Sequence, residues 1–585
     1  MTRLAVVCRA LATISPHRPE PSAELCRALT LVAPTLDGAT VAAAGYGLAT
    51  LIAPLAAVTA GTIAGWGPRT VPGVVGVALV VAVAGVHVVH RLPVVLAAVR
   101  RARTLGNAPA LIGRIVLRMR VEPAVERAAA FGAESGTGPL AASLGTHLDG
   151  ARGRPRSGLS TFAEEWADRL PPLRRACSLI VAAGAATPGE RERTLDRALN
   201  TVVAGVRDDM SAFAASLRGP TTALYAFGVL LPLALVAVLP AAGVAGVAVP
   251  TVAIVVVYDL ALPAVLLIAG SWLLARRPVA FPPPPVPATH PARPDRRWPR
   301  VVPGPIFGAV AWVVVDRVVG HWAAPIAGVG IGVGVVAIAL ARPAVLVRKR
   351  VRAVERGLPD LLSVVGRRVA GGAAVETALA AAGETLSGPI VPVVESAVAR
   401  QRRLRVDLET ALLGPNGALA TVPSPRVRSA GELLAVAADQ GRPAGRALVD
   451  TAEHVDTLAE IEATTVRDLA RVTGTLRSTA ALFGPLVAGT TVALASGMAR
   501  LGGADSLRPG TAGGATGTTG TTIPTDVLGP VIGVYVLLLA VVLTTVGVGL
   551  ERGLDRAELT YRVGRALVTA TTIFCVSFAL ASRLV

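Results

Sequence analysis

The sequence predicts an all-α, polytopic membrane protein. About nine transmembrane helices accompany two tandem cytoplasmic helical bundles, arranged as parallel repeats. Three observations carry this expectation. The chain of 585 residues is 52% hydrophobic and only 16% charged, with a mean hydropathy of +0.60, whereas soluble domains carry about 25% charged residues. Its apolar residues gather into runs near the ~20 residues that a helix needs to cross a bilayer. Finally, the stretch after Pro109 recurs after Pro359 without a gap for about thirty residues. Leu111 meets Leu361, Arg118 meets Arg368, Val125-Glu126 meets Val375-Glu376, Glu134 meets Glu384, and Gly138-Pro139 meets Gly388-Pro389. Matches that include Pro, Gly and Glu at one offset mark a duplicated module.

From the N-terminus, residues 1–40 read as a cytoplasmic segment. Residues 3–14 suit either a basic amphipathic helix at the membrane surface or a frayed tail. The first long apolar run begins after about residue 28, too late and too long for a secretory signal. Spans are expected at 41–65, 71–90, 221–243, 248–275, 304–320, 322–341, 480–500, 527–550 and 565–583. Between them lie cytoplasmic domains at 91–218 and 342–479, a Pro/Arg-rich linker at 276–303 and a Gly/Thr-rich loop at 501–526. The remaining divisions are the paired spans at 41–90, 219–275, 304–341 and 527–585. Pro282 to Pro285 predict an extended, polyproline-like linker.

Arginine sets the orientation. Arg91, Arg100, Arg101 and Arg103 follow the second span, Arg276 and Arg277 the fourth, Arg348 to Arg350 the sixth, and Arg552, Arg556 and Arg562 the eighth, while the loop 501–525 holds Arg508 alone. The positive-inside rule then places the N-terminus, both long polar segments and the linker in the cytoplasm of a cell-membrane protein, and the Gly/Thr-rich loop and C-terminus outside.

The polar segments lack strand alternation. Leu358, Leu361, Leu362, Val365, Val369, Val375 and Leu379 fall at helical spacing, broken by Gly371-Gly372. Residues 448–472 carry Leu448, Val455, Leu458, Ile461 and Leu469 against Glu453, Asp456, Glu460 and Glu462, again with helical spacing. Two further pairings lie in the apolar parts: Gly219-Pro220 with Gly484-Pro485, and Asp259-x-x-x-Pro263 with Asp526-x-x-x-Pro530.

Known catalytic signatures are absent. The sole lysine, Lys349, sits in Val347-Arg348-Lys349-Arg350, so no P-loop exists. No H-E-x-x-H or G-x-S-x-G occurs, and Cys8, Cys26, Cys177 and Cys575 show no C-x-x-C spacing. No cofactor or metal is expected. His87 and His90 lack a third ligand and read as interfacial histidines. The net charge of +19 comes with only 3% aromatic residues, too few rings for base stacking, so no nucleic-acid partner is expected.

The candidate functional residues are carboxylates and their basic neighbours. Asp259 and Asp526 lie in or beside apolar spans, where an ionisable group is costly and a functional hypothesis by default. Asp526, after Thr525 at a loop end, reads as a helix cap. For Asp259, a cap and a contact with a cationic group on a protein passing through the membrane both stand. Glu126, Glu134, Glu376 and Glu384, with Arg118 and Arg368, fall on the duplicated helices. They read as solvated surface charges whose duplication also suits a shared docking or intradomain contact. Gly138-Pro139 and Gly388-Pro389 read as helix terminators.

The run Leu-Pro-Asp-Leu-Leu, Arg-Arg-Val-Ala-Gly-Gly and Val-Glu-Thr-Ala-Leu at 358–379 resembles the type II secretion F-domain of platform proteins in type IV pilus and archaellum machines. The Ala-Pro-Ala-Leu-Ile and Val-Glu-Arg-Ala elements at 108–128 are similar to a diverged second copy. The resemblance covers most of residues 90–550 and rests on diffuse helical patterns. It implies a non-enzymatic platform whose cytoplasmic bundles dock a hexameric secretion ATPase and whose membrane part receives prepilin- or archaellin-like subunits among the lipids, as a homodimer or homotrimer. The competing expectation is a transporter built from parallel repeats, with Asp259, Pro263 and the glycines of 326–334 near its midplane. A membrane-bound enzyme finds no nucleophile, base or metal constellation here.

Overall fold

Apolar spacing at 3.6 residues per turn is realised throughout, and helices are the only regular elements among the described residues. The computed structural model describes residues 2–584 except 18, 34–35, 65–70, 137, 155, 168–169, 245–250, 278–285, 288–289, 292–297 and 506–524. The prolines expected to stiffen the linker (Pro282 to Pro285) and most of the Gly/Thr-rich loop lie outside the described residues.

Eight helical stretches among the described residues are long and apolar enough to cross a membrane: Gly38–Val58, Pro188–Val236, Thr251–Ala275, Pro299–Val318, Ala324–Ala370, Ala444–Met498, Asp526–Arg552 and Arg556–Ala581. The span expected at 71–90 lies on the helix Val71–Gly106, of which Ala82–Ala97 is an apolar stretch among the described residues. Leucines, valines and aromatic side chains such as Phe227, Leu231, Phe307 and Trp312 are exposed on the apolar helices, as suits a lipid-facing surface with no water to satisfy backbone groups. At one helix end the Arg276 guanidinium lies over the Trp272 ring, 3.9 Å from its centroid, a cation–π pair typical of the interfacial belt. The N-terminal helix Thr2–Ile14 packs on Gly38–Ala64.

The two duplicated segments fold in the same helix order. The first runs Ala108–Val121, Val125–Ser135, Pro139–Ala151, Gly158–Glu165, Pro171–Ala185 and Pro188–Tyr225; the second runs Leu358–Ala370, Val375–Thr385, Val391–Leu404, Leu408–Leu413, Pro425–Gln440 and Arg442–Ser478. Each buries its own apolar cluster, one around Ile112, Ile115, Leu144, Phe162 and Ile180 and one around Leu362, Val365, Val369, Leu379 and Leu448. The apolar positions read from the sequence at 358–379 are all buried, and Leu362, Val365 and Val369 are fully so. In the second segment Leu358–Ala370 crosses Arg442–Ser478 at Gly366 and Gly445. A Cβ at Gly445 would stand 2.3 Å from the Ala370 nitrogen, so the crossing depends on glycine.

The Gly-Pro pairs do not terminate helices, as the sequence suggested. Gly138 precedes the helix Pro139–Ala151, with Pro139 in its first turn, where a missing N–H costs nothing. Gly138 and Gly388 both adopt left-handed backbone, φ 97° and 93°, which favours glycine. The duplicated Gly-Pro therefore preserves one turn between helices.

A second correction concerns Gly219-Pro220 and Gly484-Pro485. Read from the sequence as opening the third and seventh spans, they differ in the structure: Gly219-Pro220 lies inside the helix Pro188–Tyr225, whereas Gly484 begins the α-helix Gly484–Asp505 directly after a π segment. The last helix of each segment continues into the apolar region as one run, residues 188–244 and 442–505, each interrupted by a π-helical segment, Ala226–Leu230 and Thr479–Phe483. The proline two residues after the first π segment is Pro232, and the equivalent after the second is Pro485. Pro485 thus corresponds to Pro232, and Pro220 lies earlier within the α-helix. At the 3.6-residue α-helical geometry the two runs are about 85 and 95 Å long. They pack on one another both in their polar stems and in their apolar halves.

Candidate functional site

Proline explains the joints. It has no N–H to donate, and its ring crowds the carbonyl four residues back, which favours a local change of helical geometry. Three π segments occur among the described residues, Ala226–Leu230, Val256–Ala261 and Thr479–Phe483, and a proline follows each at two residues' distance: Pro232, Pro263 and Pro485. The residue before each proline donates its N–H five residues back instead of four: Leu231 to Ala226, Leu262 to Val257 and Gly484 to Thr479. One extra residue per turn absorbs the steric conflict, the single-turn π-bulge found often at functional sites.

Two tyrosines seal the first joint. The Tyr535 hydroxyl donates to the Gly228 carbonyl at 2.8 Å, the acceptor that an N–H at position 232 would have used in regular α-helix. The Tyr258 hydroxyl donates to the Pro232 carbonyl, also at 2.8 Å. Their rings meet edge to face, centroids 5.4 Å apart at 84°, and both side chains are buried. Three helical runs, 188–244, 251–275 and 525–552, are thereby tied at one point.

Asp259 stands beside this point. It occupies the π segment inside the continuous run 251–275, not a helix end, so the capping role entertained from the sequence is corrected. One of its carboxylate oxygens is buried without a hydrogen-bond partner among the described residues. Asp526 lies in the first turn of Thr525–Arg552, where a carboxylate faces the positive end of the helix dipole. It also lines a cavity of about 1060 Å³ with His321, Trp322 and Phe578. The paired Asp-x-x-x-Pro motifs therefore sit differently, one in a bulge within a helix and the other at a helix start.

The duplicated charges share positions but not partners. Glu126 and Glu376 fall in the first turns of Val125–Ser135 and Val375–Thr385, and Glu134 and Glu384 are exposed near the ends of the same helices. Arg118 pairs with Glu122 at 2.9 Å and lies 6.0 Å from the Phe131 centroid. Arg368 is exposed, and the positions matching Glu122 and Phe131 are Gly372 and Ala381. These residues are spread over two bundles and do not converge on a pocket.

Other charges, unremarked in the sequence, join the two bundles. Arg120 forms ion pairs with Asp196 on the first stem and Asp450 on the second. Arg114 donates twice to the Ser429 hydroxyl, at 2.7 and 3.0 Å. The His454 ring packs against Gly113 with its Nε2 buried and unpartnered among the described residues. Burial first, and the Arg120 charge second, push His454 down to about 4; it lies in the polar stem, well before the apolar segment. At the foot of the second stem, Glu551 is only 4% exposed and is ringed by Arg477, Arg552 and Arg562 at 2.9, 3.1 and 3.7 Å. Arg348 pairs with Asp555, which caps the helix Arg556–Ala581. Arg114 and Arg120 have no counterparts at the repeat offset, where Val364 and Ala370 stand.

Among the described residues no cluster of three or more His, Cys, Asp or Glu side chains could hold a metal, and Cys177, buried in the first bundle, has its thiol pushed up to about 12 by burial. The arrangement suits mechanical coupling and charge recognition. No protein-family model, curated protein or solved structure matches the chain.

Proposed function

We propose that the chain is an integral membrane platform of a type IV pilus or archaellum-like assembly machine, related to the type II secretion F-domain proteins. Its nine spans would leave the N-terminus and both F-type bundles, 91–218 and 342–479, in the cytoplasm and the C-terminus outside. The bundles dock a hexameric secretion ATPase, and the membrane part receives prepilin- or archaellin-like subunits. The observation that carries this reading is the pair of continuous runs 188–244 and 442–505, each leading from a bundle into the apolar region through a proline joint. A rotation or tilt imposed on a bundle travels along such a helix without an intervening loop. The partner supplies hydrolysis, in keeping with the missing P-loop. Asp259, with an unpartnered oxygen at a joint, is the candidate contact for a cationic group on a passing subunit.

The test is an affinity pull-down of the detergent-solubilised chain from its native membrane, followed by mass spectrometry. Co-purification of a secretion ATPase with prepilin-like proteins supports the platform; their absence removes it. The alternative, a transporter, is favoured by one feature, a buried unpaired carboxylate in an interrupted helix. A saturable solute flux through reconstituted vesicles would support that reading instead.

A further inference from the structure

Where the two bundles meet the foot of the membrane helices, the chain encloses a cavity of about 850 Å³, within the size range of small-molecule sites. Seven arginines and three glutamates line it, a formal excess of four positive charges. The three acids are already engaged. Glu551 is held by Arg477, Arg552 and Arg562, Glu462 pairs with Arg426 at 2.8 Å, and Glu355 accepts from the Ser424 hydroxyl at 2.5 Å. Arg277 is used structurally, donating to the Leu550 and Glu551 carbonyls at the end of Thr525–Arg552.

Three other arginines line the cavity with no carboxylate within ion-pair distance among the described residues, Arg352, Arg356 and Arg467; Arg352 lies within electrostatic reach of Glu355, and Arg356 and Arg467 also donate to the Arg352 and Ala463 carbonyls of their own helices. Arg352 and Arg356 come from the cytoplasmic end of the run 324–356, and Arg467 from the second stem. They converge from two elements on one space, and Arg114 enters from the first bundle. The walls between them are apolar, formed by Leu111, Leu140, Leu358, Val455, Leu458 and Leu469. A cavity with an excess of guanidinium groups over carboxylates and with apolar walls matches a ligand with an anionic head on an apolar body. Guanidinium forks favour phosphate over other anions because two N–H groups can meet two oxygens. Basic pockets at the cytoplasmic ends of membrane helices have the same character.

We infer that this cavity binds a phosphate group, with Arg352, Arg356 and Arg467 as its principal ligands. An anionic phospholipid headgroup and a free cytoplasmic phosphate share that chemistry. Occupancy ties both bundles to the foot of the membrane helices, so the ligand acts as a brace between repeats.

The test uses the purified full chain in neutral detergent. Thermal unfolding is followed while either phosphatidylglycerol-doped micelles or inorganic phosphate is added, with phosphatidylcholine as control. The expected result is a saturable upward shift of the midpoint with one of the two anions and none with phosphatidylcholine. In R352A/R356A/R467A the apparent affinity falls about tenfold or more, and in wild type it weakens as salt rises. A response to phosphatidylglycerol but not to phosphate assigns a lipid headgroup; a response to inorganic phosphate assigns a soluble ligand. No shift with either anion, or an equal shift in the triple variant, overturns the inference. Should the triple variant misfold, Arg467→Gln, whose side chain is exposed, carries the same comparison.

Discussion

The two buried tyrosines and Asp259 show opposite ways of treating a polar group in an apolar setting. Tyr258 and Tyr535 spend their hydroxyls on backbone carbonyls at the Pro232 joint, so no buried acceptor is left open there. Tyr535→Phe removes the donor while keeping the ring. Leaving the Gly228 carbonyl unsatisfied should cost about 1–3 kcal/mol, readable as a lowered unfolding midpoint in detergent with unchanged helix content. An unchanged midpoint would mean that Gly228 has another donor. Asp259 keeps an oxygen unpartnered, which no structural role explains. Asp259→Asn should therefore leave the protein abundant and folded while lowering filament output, measured as surface fibres per cell. Normal fibre numbers would strip Asp259 of its proposed role.

At the scale of elements, each π segment has a proline two residues beyond it, where the missing N–H and the ring favour the wider turn. The extra residue alters the helical phase, so the faces of the stem and of the membrane half are set relative to each other by the bulge. Pro485→Ala removes the ring clash, which in a helix interior is worth about 3 kcal/mol, and lets 479–483 relax toward α-helix. The expected outcome is a stability no lower than wild type combined with reduced assembly activity. A cysteine cross-link between positions 488 and 574, chosen because both residues are buried in the shared apolar core, would report the rotation as a changed yield. Equal yield and full activity would show that the bulge has no part in coupling.

For the whole molecule, the charges of the first bundle that meet the second are what make two repeats one body. Arg120 reaches Asp196 and Asp450, and His454 is buried beside it with its affinity for protons lowered. A histidine whose folded value lies near 4, below its usual 6.5, contributes stability that is fully present above pH 6.5. That contribution is lost progressively as pH falls toward 4, because the unfolded or separated form takes the proton first. Proteolysis between the bundles should accelerate over that window, and His454→Leu should flatten the dependence. An identical pH profile in the variant would exclude His454 as its source. On the second bundle, if it docks the proposed ATPase, Glu376→Arg with Glu384→Arg weakens recovery of that ATPase in the pull-down without preventing membrane insertion. Undiminished recovery of the ATPase would remove this pair from the docking surface.

The one-dimensional pattern was sufficient wherever physics is local. Apolar spacing at 358–379 and 448–472 set helix type and buried face, because a helix repeats every 3.6 residues whatever it packs against. Run length and composition marked the helices able to cross a bilayer, and the offset between Pro109 and Pro359 disclosed two bundles with one helix order. Position relative to other elements decided the rest. Gly219-Pro220 looked like the partner of Gly484-Pro485 by spelling, yet the joint follows Pro232, since a bulge depends on where the helix already runs. The sequence could treat Asp259 as a cap; only the unbroken run on both sides shows it inside a helix. Arg114, Arg120, Asp450, His454 and Glu551 resemble any other surface charges in a basic chain, because what distinguishes them is the desolvation imposed by residues hundreds of positions away. The helical class and the presence of helices able to cross a membrane were thus legible in the sequence itself, whereas the joints, the charge bridge and the arginine-lined cavity exist only where tertiary packing brings distant side chains together.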